Sequence, residues 1–380
     1  MSYKPISDYG IIGDLHSAAL VATDGSIDWY CLPRFDGAAV FGRILDDSKG
    51  GYFQITPLDV RQTSRRYFPA TNVLETTFTT GSGTAVLTDF MPVHDHPSRP
   101  NEPLEVTEIQ RIVRILQCTN GSVEFNLECF PRFDYGTIVP HAVLSSPHTG
   151  TAHGGAEAVS VYCSAPLEEI NDGFQSKGLL REGDKLYAAV TNQVSFSHDT
   201  APLDIAELEL EMSATVAFWE EWSSRCTFRG EFSDDVLRSA LTLKALTYVS
   251  SGALVAAATT SLPETIGGSR NWDYRFTWLR DATFALYALS IIGYTEEAAA
   301  FKDWLEWSTA GRARDLQVMY GLGGERRLTE IEIPELDGYR GSRPVRVGNA
   351  AYSQYQLDIY GEVLDSAHIL RKFGGDISEY

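Results

Sequence analysis

The sequence predicts a multidomain chain of β then α class: an N-terminal antiparallel β-sandwich, a linker helix and a helical domain. Two observations carry this. Up to about residue 203, short runs of period two alternate with turn signals; beyond it, apolar residues recur at helical spacing. A third observation bounds it. The chain has 380 residues, is 43% hydrophobic and holds 7 Trp, 18 Tyr and 18 Phe, enough to bury a large core and too apolar for intrinsic disorder. The boundaries read as 1–203 for the sandwich, 204–230 for the linker helix and 231–380 for the helical domain.

The strands follow in order. Asp24-Gly25 marks a hairpin turn near the N-terminus. Thr84 to Phe90 is a strand. Ser122 to Phe130 puts Val123, Phe125, Leu127 and Cys129 on one face and Glu124, Asn126 and Glu128 on the other, the pattern of a half-buried strand. Asn120-Gly121 reads as the hairpin turn before it, with Val106 to Leu116 as partner strand. Ser145 to Gly155, rich in Ser, Pro, His, Thr and Gly, reads as a mobile loop. Val159 to Cys163, Lys185 to Val190 and Val194 to Ser197 add strands.

The helices come next. Asp204 to Cys226 is the linker helix, with Trp219 and Trp222 on one face. Ser233 is expected to cap a second helix in which Val236, Leu237, Ala240, Leu241, Lys244 and Tyr248 follow the helical spacing. Asp281 to Ile292 is almost wholly apolar, is expected to be buried on all sides, and ends at Gly293. Thr295 to Ala310 is expected to be capped by Thr295. Asn349 to Phe373 carries the stripe Tyr352, Tyr355, Ile359, Val363, Ala367 and Leu370. The long segment Arg312 to Val347 is expected to be functional, because compact domains seldom hold a structureless loop of that length. An all-apolar helix needs neighbours on every side, so the helical domain is expected to be partnered or incomplete in this chain. The chain made alone is then expected to self-associate, and a homo-oligomer fits the same reading.

Charge narrows the partners. With 31 Lys+Arg against 51 Asp+Glu, the net charge is −20, which disfavours nucleic acid and anionic membranes. No apolar run is long enough for a membrane span; Ala253 to Ala258 is six residues. The N-terminus lacks a basic segment followed by an apolar one. The five cysteines are scattered without a CxxC, as expected of reduced thiols in a cytoplasmic protein. His94-Asp-His96 lies beside prolines and reads as a solvated turn rather than a metal site.

The chemistry concentrates in Gly267 to Asp281, which holds two Trp, three Arg and two Asp in fifteen residues. Flat rings beside charged hydrogen-bonding groups suit a sugar: the ring stacks on a pyranose face while Arg and Asp take its hydroxyls. A structural alternative is that Asp281 is only an N-cap, Arg280 its ion-pair partner, and Trp272 and Trp278 core packing.

The chain resembles glycoside hydrolase family 15, which groups glucoamylases with bacterial-type glucodextranases and trehalases. The resemblance spans essentially the whole sequence. Ile12-Gly-Asp-Leu-His-Ser-Ala-Ala-Leu-Val, Asp24-Gly-Ser-Ile-Asp-Trp29 and Pro33-Arg-Phe-Asp36 look like the opening of the bacterial-type members. Arg270-Asn-Trp-Asp-Tyr-Arg275 with Trp278-Leu-Arg-Asp281 looks like their sugar-site signature. Gly338 to Ala351 and Gln356-Leu-Asp-Ile-Tyr-Gly-Glu362 complete it. The resemblance implies an (α/α)6 barrel after the sandwich and inverting hydrolysis of α-glucosides with release of glucose. One carboxylic acid would protonate the leaving oxygen, and a second carboxylate would activate water. No metal or organic cofactor is implied.

It also implies that Arg280 and Asp281 hold hydroxyls of the terminal glucose, that Trp278 shapes that subsite, and that Trp272 and Asp273 line it. The substrate would be a maltooligosaccharide, a dextran-type chain or trehalose. The sequence departs from the family in one respect: the Gly-(Ile/Leu)-Trp-Glu motif of the general acid does not follow Glu362, and no general base is identified in 1–380. The expectation is a chain that is catalytically incomplete as given. A non-catalytic glucoside-binding or interaction protein is the alternative. Glu264, Glu325, Glu330, Glu332, Glu335 and Asp337 read as turn or solvated residues, and Gln354, Asp358 and Asp365 as one polar helix face.

Overall fold

A computed structural model of the chain describes residues 3–93, 110–194 and 203–372. It forms two compact units. The first takes Ala18–Glu220 with the segment up to Asp14; the second takes Leu15–Ser17 and the chain from Glu221 on.

The first unit is one large antiparallel sheet of strands β1 (Tyr9–Gly13), β2 (Ala18–Ala22), β3 (Ser26–Leu32), β4 (Ala38–Phe41), β5 (Tyr52–Pro57), β6 (Val60–Tyr67), β7 (Leu74–Thr80), β8 (Gly83–Phe90), β9 (Arg111–Phe130), β10 (His141–Ser146), β11 (Thr149–Gly154), β12 (Glu157–Cys163), β13 (Glu168–Ile170), β14 (Gly173–Arg181) and β15 (Lys185–Val194). Strand β9 organises it. Its first half pairs with β8 and β15, and its second half with β5 and β14. The two halves of the sheet enclose one apolar core, in which Ile27, Phe53 and Leu127 meet Leu87, Leu116 and Val190. Each such side chain contributes roughly 2 kcal/mol of burial.

Asn120-Gly121 is therefore not a hairpin turn. It is the point where one 20-residue strand passes from one half of the sheet to the other. Gly121 has φ +68°, and an added Cβ would lie 2.3 Å from Ser82 O. The left-handed conformation that favours Asn-Gly in hairpins serves a bend here. Of the expected partner Val106 to Leu116, Arg111 to Leu116 is the start of this same strand, and residues 106–109 lie outside the described residues. So do the end of Val194 to Ser197 and His94-Asp-His96.

Ser145 to Gly155 is not a loop. Strands β10 and β11 pair across it, with Pro147 and His148 at the turn. Two of its three glycines serve packing: a Cβ on Gly150 would lie 2.2 Å from the Phe174 ring, and one on Gly154 2.2 Å from the Phe133 ring.

A fully buried ion pair ties the two halves together. Arg114 Nε donates to Asp89 Oδ1 at 2.7 Å, Nη1 to Phe53 O at 2.6 Å and Nη2 to Gly25 O at 2.8 Å. Burial raises the Asp89 carboxyl against the pull of Arg114.

The helices are α1 (Ile205–Ser224), α2 (Ser233–Ala245), α3 (Leu279–Ile291), α4 (Thr295–Thr309) and α5 (Asp358–Lys372). Two short ladders lie among them: β16 (Thr277–Trp278) with β17 (Met319–Tyr320), and β18 (Ile331–Ile333) with β19 (Val345–Val347). The segment 312–347 is thus structured rather than one long loop. All five cysteines are buried and none is in a disulfide. No helix among the described residues is long and apolar enough to cross a membrane.

Near its start, α1 meets the sheet through Arg111, which lies 3.2 Å from Glu207 and 3.3 Å from Glu211. At its other end, Trp222 stacks on Tyr294 at 3.9 Å, and its Nε1 donates to Glu297 Oε1 at 2.6 Å. Burial raises the Glu297 carboxyl, but Lys244 at 3.0 Å and Trp222 outweigh it and hold it below its ordinary value.

Several helix details differ from expectation. Ser233 and Thr295 do not cap: the N-cap residues are Phe232 and Tyr294, without side-chain cap bonds. The Ser233 hydroxyl instead donates to Gly230 O. Helix α3 is buried on one face only; Phe284, Tyr287 and Ile291 are exposed at 63%, 41% and 50%. The last helix starts at Asp358 rather than Asn349. Residues Ala350–Ser353 form a separate 3₁₀ turn, where the Asn349 side chain accepts from Ala351 N. That local bond competes with helix continuation.

Candidate functional site

The aromatic–arginine stretch is clamped before it reaches α3. Ser261 N donates to Trp272 O, Ala257 N to Tyr274 O and Ala256 N to Phe276 O. On the opposite side, Gly348 N donates to Asp273 Oδ2 at 3.1 Å and Asn349 Nδ2 to Asp273 O at 2.9 Å. Arg275 closes the clamp, with Nε on Asp273 Oδ1 at 2.9 Å and Nη2 on Oδ2 at 2.7 Å, both side chains fully buried. Arg275 N also donates to Oδ1 at 3.1 Å, so each carboxylate oxygen accepts two bonds, and Asp273 shapes the loop from within rather than facing solvent.

Strand β16 then runs directly into α3, so Trp278, Arg280 and Asp281 emerge together at the helix start. Trp278 occupies the N-cap position with extended backbone, and no side chain caps this helix. Asp281 is therefore not the cap. It sits in the first turn, where the helix dipole favours a carboxylate, with its side chain 52% exposed. Arg280 Nη1 donates to Asp358 Oδ2 at 2.7 Å and to Gln356 Oε1 at 3.4 Å, and Nε lies 3.9 Å from Asp281. Its guanidinium is 5.9 Å from the Trp278 ring centre, and Tyr274 flanks that ring at 6.2 Å.

The site thus joins the starts of α3 and α5: one arginine, two carboxylates and two aromatic rings. Asp358, read from sequence only as part of a polar face, is the partner that orients Arg280. Glu362, one turn further along α5, has its carboxyl raised by burial and by Asp365 and Asp358. Tyr274 is raised by burial and by Glu264. The signal for Asp358 was its place as an acidic residue opening a helix.

Trp272 lies apart from this group, packed under Arg346, whose guanidinium is 4.6 Å from its ring centre. The acidic residues of the long segment serve its own fold. Glu330 and Glu332 pair with Arg346, Asp337 pairs with Arg343, and Glu325 accepts from Gly323 N. Glu264 pairs with Arg270 at 3.0 Å, and Gln354 accepts from Gln356.

The structure thus sets an antiparallel β domain before a run of helices, with an arginine–carboxylate–aromatic cluster at one helix start. Family models place it further. Residues 230–379 match glycosyl hydrolases family 15, and residues 2–167 match the trehalase-like N-terminal domain. The chain is thus similar to glycosyl hydrolases family 15 over its helical part and to the trehalase-like N-terminal domain over its β part. It is 38% identical to a trehalase of Mycolicibacterium smegmatis over 97% of this chain and 58% of that protein. It is 36% identical to a trehalase of Thermoplasma volcanium over 100% of this chain and 59% of that protein. The chain therefore spans less than two thirds of the length of these relatives. Among solved structures, a putative kojibiose phosphorylase from human microbiome aligns with a TM-score of 0.44 at 9% identity, covering 83% of this chain and 49% of that one.

Proposed function

We propose that this chain supplies the glucose-holding part of an inverting α-glucosidase whose substrate is trehalose. The observation that carries the reading is the state of Arg280. It is oriented by one short bond to Asp358, yet 42% exposed beside Trp278 and the open Asp281 carboxylate. A structural ion pair at this position has no need of two carboxylates and two flanking rings.

In this reading Arg280 donates to two hydroxyl oxygens of the terminal glucose, while Asp281 and Asp358 accept from hydroxyl protons. The rings of Trp278 and Tyr274 cover the apolar pyranose face. Asp273 and Arg275 hold the loop that aims these groups. The four helices α2 to α5 belong to an (α/α)6 barrel, with α1 as the linker before it, and the protein acts in the cytoplasm. Inversion needs two carboxyl groups about 6.5–9.5 Å apart, one protonated and one ionised; neither is assigned in this chain. The family relation favours an α-glucoside, and the relatives named trehalases favour trehalose.

The test is calorimetric titration of the chain with trehalose, maltose and isomaltose. Trehalose should bind most tightly, and Arg280→Ala should lose binding while keeping its circular dichroism. Tighter binding of maltose or isomaltose would change the substrate assignment.

A further inference from the structure

We propose that Arg346 is a positioning residue for the sugar site, acting through Trp272 and the loop that leads to Arg280; this rests on the sugar-site reading above. Arg346 lies on β19, directly opposite Glu332 on β18. Its own backbone is held from both sides: its N–H takes the Ser261 hydroxyl as acceptor at 2.7 Å, and its carbonyl accepts from Thr260 Oγ1 at 2.5 Å. The side chain reaches away from its strand to the aromatic loop. Nη1 donates to Ser269 O at 2.8 Å and to Asn271 O at 3.3 Å, on either side of Arg270. The guanidinium plane lies over Trp272 at 4.6 Å, within range of a cation–π contact.

Two carboxylates pair with the guanidinium, Glu332 through a hydrogen bond from Nη2 and Glu330 by charge alone, since Nε makes no hydrogen bond among the described residues. Glu330 Oε1 lies 3.2 Å from Nε, and Glu332 Oε1 lies 3.3 Å from Nη2. Glu330 also accepts from Ala350 N at 3.1 Å, next to Asn349, which holds Asp273. Arg346 is thus tied to both sides of the clamp. Its side chain is only 11% exposed and Glu330 20%, so this pair is largely sheltered, while Glu332 is 60% exposed. No other cation–π contact to Trp272 exists among the described residues. A lysine could keep the charge but not two carbonyl bonds and a stacked plane together.

The experiment uses the whole chain, with trehalose as the probe. Arg346→Gln and Arg346→Lys should each weaken trehalose binding about tenfold or more and lose a near-ultraviolet circular dichroism band that Trp272→Leu also loses. Glu330→Gln should cause a smaller loss of both, and it carries the test if the Arg346 variants fail to fold. In the Trp272→Leu background, Arg346→Gln should cost little further affinity, because the two changes remove one interaction. Unchanged affinity in a folded Arg346→Gln, or losses that simply add, would overturn the proposal. Arg280→Ala separates the two levels. If it leaves binding intact, the sugar-site reading fails. If it abolishes binding while the Arg346 and Glu330 variants bind normally, only this proposal fails.

Discussion

Arg275 and Arg280 stand in the same aromatic stretch and have opposite roles. Arg275 is fully buried with its charge matched by Asp273; Arg280 is open and held by one short bond. Their substitutions should separate accordingly. Arg275→Met strands a buried carboxylate and should cost about 3–5 kcal/mol, seen as a large fall in melting temperature. Arg280→Ala should cost less than about 1 kcal/mol of stability while removing sugar binding, since partly exposed pairs are worth little. The sequence showed that charges and rings cluster here. It could not show which charges were interior, because that is decided by Gly348 and Asn349, some 75 residues further on. Asp358 was hidden for the same reason: its partner lies 78 residues away.

Among the elements, the strands show where local reading works and where it fails. The alternation in 122–130 is realised, because a half-buried strand is a property of its own residues. The Asn-Gly bend and the β10–β11 hairpin were misread, because glycine answers equally to a turn, a sheet crossing and an aromatic ring above it. Gly150→Ala should therefore destabilise by about 1–3 kcal/mol, with the Phe174 ring forced aside, as read by chemical denaturation.

Helix α1 carries a pH dependence. Burial, opposed by Arg111 and aided by Glu207, lifts the Glu211 carboxyl to about 7. A carboxyl whose pKa is higher in the folded chain favours folding fully below its unfolded value. That advantage is lost as pH rises through the folded value. Between pH 5 and 8 the wild-type chain should lose about 2 kcal/mol that Glu211→Gln does not lose, measured by denaturation at each pH.

For the whole molecule, the change of periodicity near residue 203 was enough to foresee a β domain followed by helices. The two family matches fall on those two parts. Helix caps and the break before Asp358 were not foreseen, because Ser, Thr and Asn side chains bond locally in several ways. The open face of α3, with Phe284, Tyr287 and Ile291, and the exposed Trp307 of α4 present apolar surface. At tens of micromolar the chain should self-associate in sedimentation velocity, and replacing the three α3 residues by serine should restore a monomer.

The cluster at the starts of α3 and α5 is proposed to hold glucose. The most direct test is calorimetric titration of trehalose into the wild-type chain and into Arg280→Ala, with folding of both checked by circular dichroism. Saturable binding to the wild type and at least a tenfold loss in the variant are expected. Equal binding by the two proteins, or none by a folded wild type, would contradict that role.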